Sequence, residues 1–208
     1  SQGVVKVIID LVKKKAERVE IKIGQHTREV KCNGKRITTQ LIIPRAKFWS
    51  PANPYLYSLR VRLYSKNHQE LLDEYSLSIG IRTIKIKGQQ LLLNNKPIFL
   101  RGFGKHEDFP VIGRGLNHAV IARDFELMKW VNANSFRTSH YPYSEEQLYM
   151  ADRLGFLVCV EAPSVTTSLR VATNKTLENH LQALREMYHR DKNHPSVIMW
   201  SVGDENEK

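Results

Sequence analysis

The 208 residues are 41% hydrophobic and 25% charged, an ordinary globular composition that fits one large domain or two modest ones with a sizeable core. The net charge of +11 admits an anionic partner. The basic residues are spread along the chain, however, and the densest run, Lys13-Lys14-Lys15, has no aromatic stripe beside it, so a nucleic-acid partner is not expected. No run approaches the roughly 18 apolar residues that span a membrane, and two cysteines, Cys32 and Cys159, make neither a disulfide framework nor a metal-ligand spacing.

In chain order, residues 1 to about 81 read as short strands. Val4-Val5-Lys6-Val7-Ile8-Ile9 and Val19-Glu20-Ile21-Lys22-Ile23 suit a half-buried sheet, and Leu59-Arg60-Val61-Arg62-Leu63-Tyr64 alternates as a strand with one wet face does. Asn33-Gly34 is a hairpin-type turn signal, and Pro44, Pro51 and Pro54 break up the segment before the last hairpin. Short strands with no helix between them predict a β-sandwich.

After about residue 97 the rhythm changes. A turn at Asn94-Asn95 separates Leu91-Leu92-Leu93 from Ile98-Phe99-Leu100, which reads as a buried strand. Residues 118–132 repeat apolar side chains at helical spacing through Val120, Ile121, Phe125, Leu127, Met128 and Val131. Residues 134–138 form a short strand. Residues 144–154 form a helix opened by Ser144, with Glu145 and Glu146 at its positive end, and stopped by Gly155. Phe156-Leu-Val-Cys-Val160 is a third strand, in which Cys159 reads as a small buried apolar residue. Residues 176–190 form a helix beginning at Thr176, with Leu177, Leu181, Leu184 and Met187 on one face. Asn174-Lys-Thr176 matches a glycosylation sequon and reads as a chance match. Residues 196–202 are the fourth strand.

Alternating apolar strands and helices predict parallel βα units with both sheet faces covered. A doubly wound sheet is one arrangement, but Gly102-Phe-Gly104 lacks the third glycine and the following helix of a phosphate loop. The other arrangement is a (β/α)8 barrel. Polar residues crowd just after the strands, at Lys105-His106-Glu107-Asp108, Arg137-Thr138-Ser139-His140-Tyr141, Glu161 and Asp204-Glu205, and that rim is where such a barrel builds its site. Tyr141-Pro142-Tyr143 reads as loop packing. Arg137 suits either an ion pair in the barrel mouth or a substrate contact, and Glu161 is either a supporting carboxylate behind the site or the partner of Arg137. Glu205 is the sharpest candidate for chemistry. A glycosidase needs a carboxylic acid to protonate the leaving oxygen and a second carboxylate opposite it. Asp204 and Glu205, as neighbours on a strand, would point apart and could not flank one bond.

Three segments carry a resemblance: Gly102-Phe-Gly-Lys-His-Glu-Asp108, Phe136-Arg-Thr-Ser-His-Tyr-Pro-Tyr143 and Arg190-Asp-Lys-Asn-His-Pro-Ser-Val-Ile-Met-Trp-Ser201. They closely resemble the β-glucuronidases of glycoside hydrolase family 2, over nearly the whole chain. The resemblance implies an immunoglobulin-like β-sandwich over 1–81, with its Phe48-Trp-Ser-Pro-Ala-Asn-Pro-Tyr-Leu-Tyr57 signature, and the first four βα units of a TIM barrel over 82–208. His-Glu-Asp at 106–108 resembles the glucuronidases more than the related β-galactosidases, which usually carry His-Glu-His there.

The family is retaining, and Glu205 falls on its acid/base glutamate. The resemblance implies that His106, Asp108, Arg137, His140, Glu161 and Asp204 serve the sugar pocket, with no cofactor and no metal. It also implies that the nucleophile half of the barrel lies beyond these residues. The 208 residues are therefore expected to be inactive alone, to need that half as partner and to self-associate, with a β-D-glucuronide as substrate and a cytoplasmic location ahead of a secreted or lysosomal one. Two positions depart from the family. Asp204 stands where an asparagine donates to a sugar hydroxyl, and an ionised carboxylate only accepts; its charge should also weaken binding of an anionic sugar. Asn206 replaces a proline. A non-catalytic binding or scaffold module, and a β-galactosidase-like or β-mannosidase-like hydrolase, remain as alternatives.

Overall fold

The computed structural model describes residues 2–12, 16–65, 70–166, 168 and 170–205; the basic run at 13–15 and Asn206 lie outside the described residues. The chain divides into two compact units, Ser1–Trp49 with Tyr55–Ile81, and Ser50–Pro54 with Arg82–Lys208.

The first unit holds β1 (Gln2–Asp10), β2 (Arg18–Ile23), β3 (His26–Lys31), β4 (Arg36–Pro44), β5 (Tyr57–Tyr64) and β6 (Leu71–Ile79). β1 and β4 pair antiparallel, and the other four form an antiparallel sheet in the order β3-β2-β5-β6. Strict alternation makes the core: β2 buries Val19, Ile21 and Ile23, and β4 buries Ile37, Thr39, Leu41 and Ile43, while the alternate residues are more exposed. Both sheets share one apolar cluster, so the sandwich expected from the alternation is present. Asn33-Gly34 is not a hairpin. It lies between β3 and β4, which pair with different partners, and the tight turn joins β2 to β3 at Gly24-Gln25. The dipeptide signals a bend, and the apolar faces decide which strands pair.

The second unit opens with a small sheet of β7 (Ile84–Lys87), β8 (Gln90–Leu93) and β9 (Lys96–Pro97), turning at Asn94 and Asn95, both with positive φ as a primed hairpin turn requires. β10 (Gly102–Lys105), α1 (His118–Trp130), β11 (Ser135–Thr138), α2 (Glu145–Leu154), β12 (Leu157–Glu161), α3 (Asn174–Asp191) and β13 (Val197–Ser201) follow. These four strands, joined by three α-helical crossovers, are parallel and ordered β10-β11-β12-β13 without reversal. A doubly wound sheet reverses its order at a switch point, so this is barrel-type winding.

Helix ends follow local chemistry. Asn117 caps α1 by accepting from the backbone N–H of Ala119 and Val120. Thr173 and Thr176 form a reciprocal cap on α3, so the threonine of the sequon serves the helix start. Gly155 ends α2 with φ 80°, and a Cβ there would lie 2.5 Å from the Pro51 carbonyl oxygen; only glycine suits both demands. Phe125 of α1 meets Phe136 and Phe156 edge-to-face at 5.7 and 5.1 Å, which locks the helix to the strands.

Four further expectations need correction. Ile98-Phe99-Leu100 is not a strand; the first parallel strand begins at Gly102, and Phe99 is 76% exposed. The Asn134 side chain donates to the Phe99 carbonyl and accepts from the Arg101 N–H, so backbone groups that a strand would pair are satisfied by a side chain. α3 buries Met187, whereas Leu177 and Leu181 of the same face are exposed. On β13, Met199 and Trp200 are partly exposed, so the sheet is not covered on both faces there. Cys159 is half-buried rather than enclosed.

Candidate active site

Period-two alternation places Phe136, Val158 and Val160 in the helix-side core. It turns Arg137, Cys159 and Glu161 to the opposite face, with Arg137 beside Cys159 in the parallel register. β10 lies close against β11: a Cβ on Gly102 would fall 2.0 Å from the Ser135 carbonyl oxygen, so the glycines of the Gly-Phe-Gly segment serve strand contact.

Glu161, at the end of β12, is fully buried, and its N–H donates to the Thr138 hydroxyl at 3.0 Å. Arg137 donates one guanidinium N–H group to Glu161 Oε2 and, at 2.8 Å, to Asp204 Oδ2. His140 follows β11 after a cis Ser139–His140 peptide. Its Nδ1 lies 3.3 Å from Glu161 Oε1 and 3.2 Å from Asp204 Oδ2. One arginine thus stands against two carboxylates and an imidazole. The hydrogen bonds it donates to Glu161 and then Asp204 push the Arg137 guanidinium further up, and the Arg137 hydrogen bond holds the Asp204 carboxyl below the usual aspartate range.

Asp204 and Glu205 lie beyond β13, not on it. The Asp204 backbone is strapped to the segment after β12: its N–H donates to the Ser164 carbonyl at 2.8 Å and its carbonyl accepts from Thr166. Glu205 has φ 49° and an exposed side chain, and its N–H donates to Asp204 Oδ1 at 3.1 Å. The side-chain alternation expected of strand neighbours does not apply here, because a bridge to Val165 and a left-handed residue replace the strand.

The structure brings together Arg137, His140, Glu161 and Asp204. His106, though exposed, joins them through its ring, 5.3 Å from that of His140. Glu205 adjoins by chain, and Asp108 is exposed outside the cluster. Tyr143, read from the sequence as loop packing, is buried, and its hydroxyl lies in hydrogen-bond range of the Lys105 and Ser139 carbonyls, the residues before His106 and His140. Burial pushes that phenol well up. Sequence reading named Thr138 at the rim without giving it a role and passed over Ser164, neither of which carries a charge to draw notice. Gln147 donates to Glu107 at 2.9 Å, fixing the loop after β10 to α2. Among the described residues, His140, Glu161 and Asp204 offer donor atoms within 4.8 Å of one another and could hold a metal ion. A shallow cleft of about 330 Å³ beside Asn134 and Phe156 opens at the amino ends of the strands, away from these groups. Among the described residues, no helix is long and apolar enough to cross a membrane.

Two family models match the chain: "Glycosyl hydrolases family 2" over residues 1–82 and "Glycosyl hydrolases family 2, TIM barrel domain" over residues 84–208. A β-glucuronidase of Paenibacillus borealis is 42% identical over 197 residues, covering 90% of this chain and 33% of that protein. The human β-glucuronidase is 40% identical over 195 residues, 90% of this chain and 30% of that protein. Among solved structures, β-glucuronidase from Ruminococcus gnavus in complex with C6-substituted uronic isofagomine superimposes with a TM-score of 0.86 at 39% identity, covering 100% of this chain and 37% of that one. Bifidobacterium dentium β-glucuronidase complexed with coumarin-3-O-glucuronide gives 0.88 at 30% identity, covering 100% and 38%. The chain spans about a third of the length of these relatives.

Proposed function

The chain belongs to glycosyl hydrolases family 2, and on that premise we propose that it carries the acid/base side of a retaining glycosidase acting on β-D-glucuronides. Glu205 protonates the glycosidic oxygen as the bond to the sugar breaks. A second carboxylate, from a segment outside these 208 residues, takes the anomeric carbon, and Glu205 then removes a proton from the water that releases the sugar. This chemistry needs no cofactor. His106, Asp108, Arg137, His140, Glu161 and Asp204 serve the sugar side.

The observation that carries the reading is the bridge from Arg137 to both Glu161 and Asp204. It gathers three strand ends at one rim and fixes the backbone immediately before Glu205. The same bridge bears on the asparagine position: the Asp204 carboxylate is partly neutralised by Arg137, which lessens its repulsion of an anionic sugar. It remains unable to donate to a hydroxyl.

The test grafts this chain into the Paenibacillus borealis β-glucuronidase in place of the segment it matches and assays aryl β-D-glucuronide, galactoside and mannoside. Glucuronide turnover that falls by about 10²–10⁴ in Glu205→Gln, and rises in Asp204→Asn, is the expected result. Preference for galactoside or mannoside, or a rate untouched by Glu205→Gln, overturns it. The 208 residues alone are expected to show no turnover. The exposed Glu205, standing outside the ion-paired cluster, favours a second reading, a non-catalytic sugar-binding module. Binding of a glucuronic-acid-derived lactone by the 208 residues, with no turnover in the graft, would support that reading instead.

A further inference from the structure

We propose that His140, Glu161 and Asp204 form a site for a divalent cation of the zinc class. The inference stands on the described geometry and does not depend on the glycosidase reading.

Glu161 Oε1 is the first observation. The side chain is 1% exposed, yet Oε1 completes no hydrogen bond, and neither does the buried Nδ1 of His140 that faces it at 3.3 Å. An unpaired buried carboxylate oxygen is costly. Arg137 donates to the other oxygen, Oε2, and to Asp204 Oδ2, not to Oε1.

The spacing is the second. Zinc binds nitrogen at about 2.0–2.1 Å and carboxylate oxygen at about 2.0–2.2 Å. The edges of such a tetrahedron are therefore roughly 3.3–3.5 Å long. His140 Nδ1 stands 3.3 Å from Glu161 Oε1 and 3.2 Å from Asp204 Oδ2. The remaining edge lies within 4.8 Å, and Asp204, on a loop and one-third exposed, is the ligand able to close it.

Charge and donor type agree. Two carboxylates, Glu161 and Asp204, face one guanidinium, an excess of negative charge that a divalent ion offsets. One imidazole and two carboxylates suit zinc, whereas magnesium prefers six oxygens and retains its water. Arg137 becomes the partner that orients both carboxylates. A bound ion would hold the Asp204 carboxylate at the strand-end rim.

The test titrates the metal-free 208-residue chain with Co²⁺ and then Zn²⁺. One equivalent of cobalt with a tetrahedral visible spectrum, displaced by one equivalent of zinc, is expected. Asp204→Asn and His140→Gln should each weaken binding by roughly ten- to hundredfold with unchanged circular dichroism, and Cys159→Ser should leave it intact. An octahedral cobalt spectrum, no binding, loss of the signal in Cys159→Ser, or full affinity in Asp204→Asn overturns the site. Asp204 is partly exposed, so its substitution keeps the test valid should His140→Gln fail to fold.

Discussion

Asp204 and Arg137 set the electrostatics at the scale of single residues. The carboxyl is held below its ordinary value of 3.8, first by the Arg137 hydrogen bond. A depressed acid stabilises the fold fully above its unfolded value and loses that contribution as pH falls through the lower folded one. Following the Asp204 carboxyl carbon by NMR should therefore show a midpoint below 3.8, and Arg137→Gln should raise it. A midpoint at or above that value in the unsubstituted chain would mean the pair does not form in solution. Charged residues of this cluster were legible because they follow apolar strand runs. Tyr143 and Thr138 were not, because a hydroxyl acts here only through the carbonyl or N–H that folding puts beside it.

Elements depend on a few local groups, and those groups differ in worth. Asn117 accepts two backbone N–H groups at the start of α1, so Asn117→Ala should cost about 1 kcal/mol. Ser144 occupies the same position on α2 without a side-chain cap, and its buried hydroxyl is unpaired. Ser144→Ala should thus stay within about 0.5 kcal/mol. Urea denaturation of both variants checks the pair; equal losses would contradict the assigned caps. The serine signal was correct for where α2 starts and wrong in suggesting what starts it, since Glu145 and Glu146 already sit in the first turn. Likewise, Ile98-Phe99-Leu100 has strand-like composition, but a side chain far along the sequence, Asn134, takes its backbone partners.

Across the whole molecule, the second unit leaves apolar surface in water. Leu177, Leu181 and Tyr188 of α3 and Met199 and Trp200 of β13 are all partly or largely exposed, and among the described residues β10 and β13 each pair on one side only. Such patches and edges drive association. Light scattering of the 208 residues should show self-association, reduced by Leu177→Lys with Leu181→Lys while circular dichroism is unchanged. A monodisperse monomer in the unsubstituted chain would refute this.

The sequence by itself determined the change from alternating β to βα units, because periods of two and of 3.6 are properties of the local backbone. It also marked the charged residues that follow each parallel strand. Only the tertiary structure decided which strands pair around Asn33-Gly34, that Asp204 and Glu205 leave the strand, and that His140, Glu161 and Asp204 converge on one point. Residues 21 and 64 positions apart in such a cluster meet through sheet register and loop closure, and no local period records that distance.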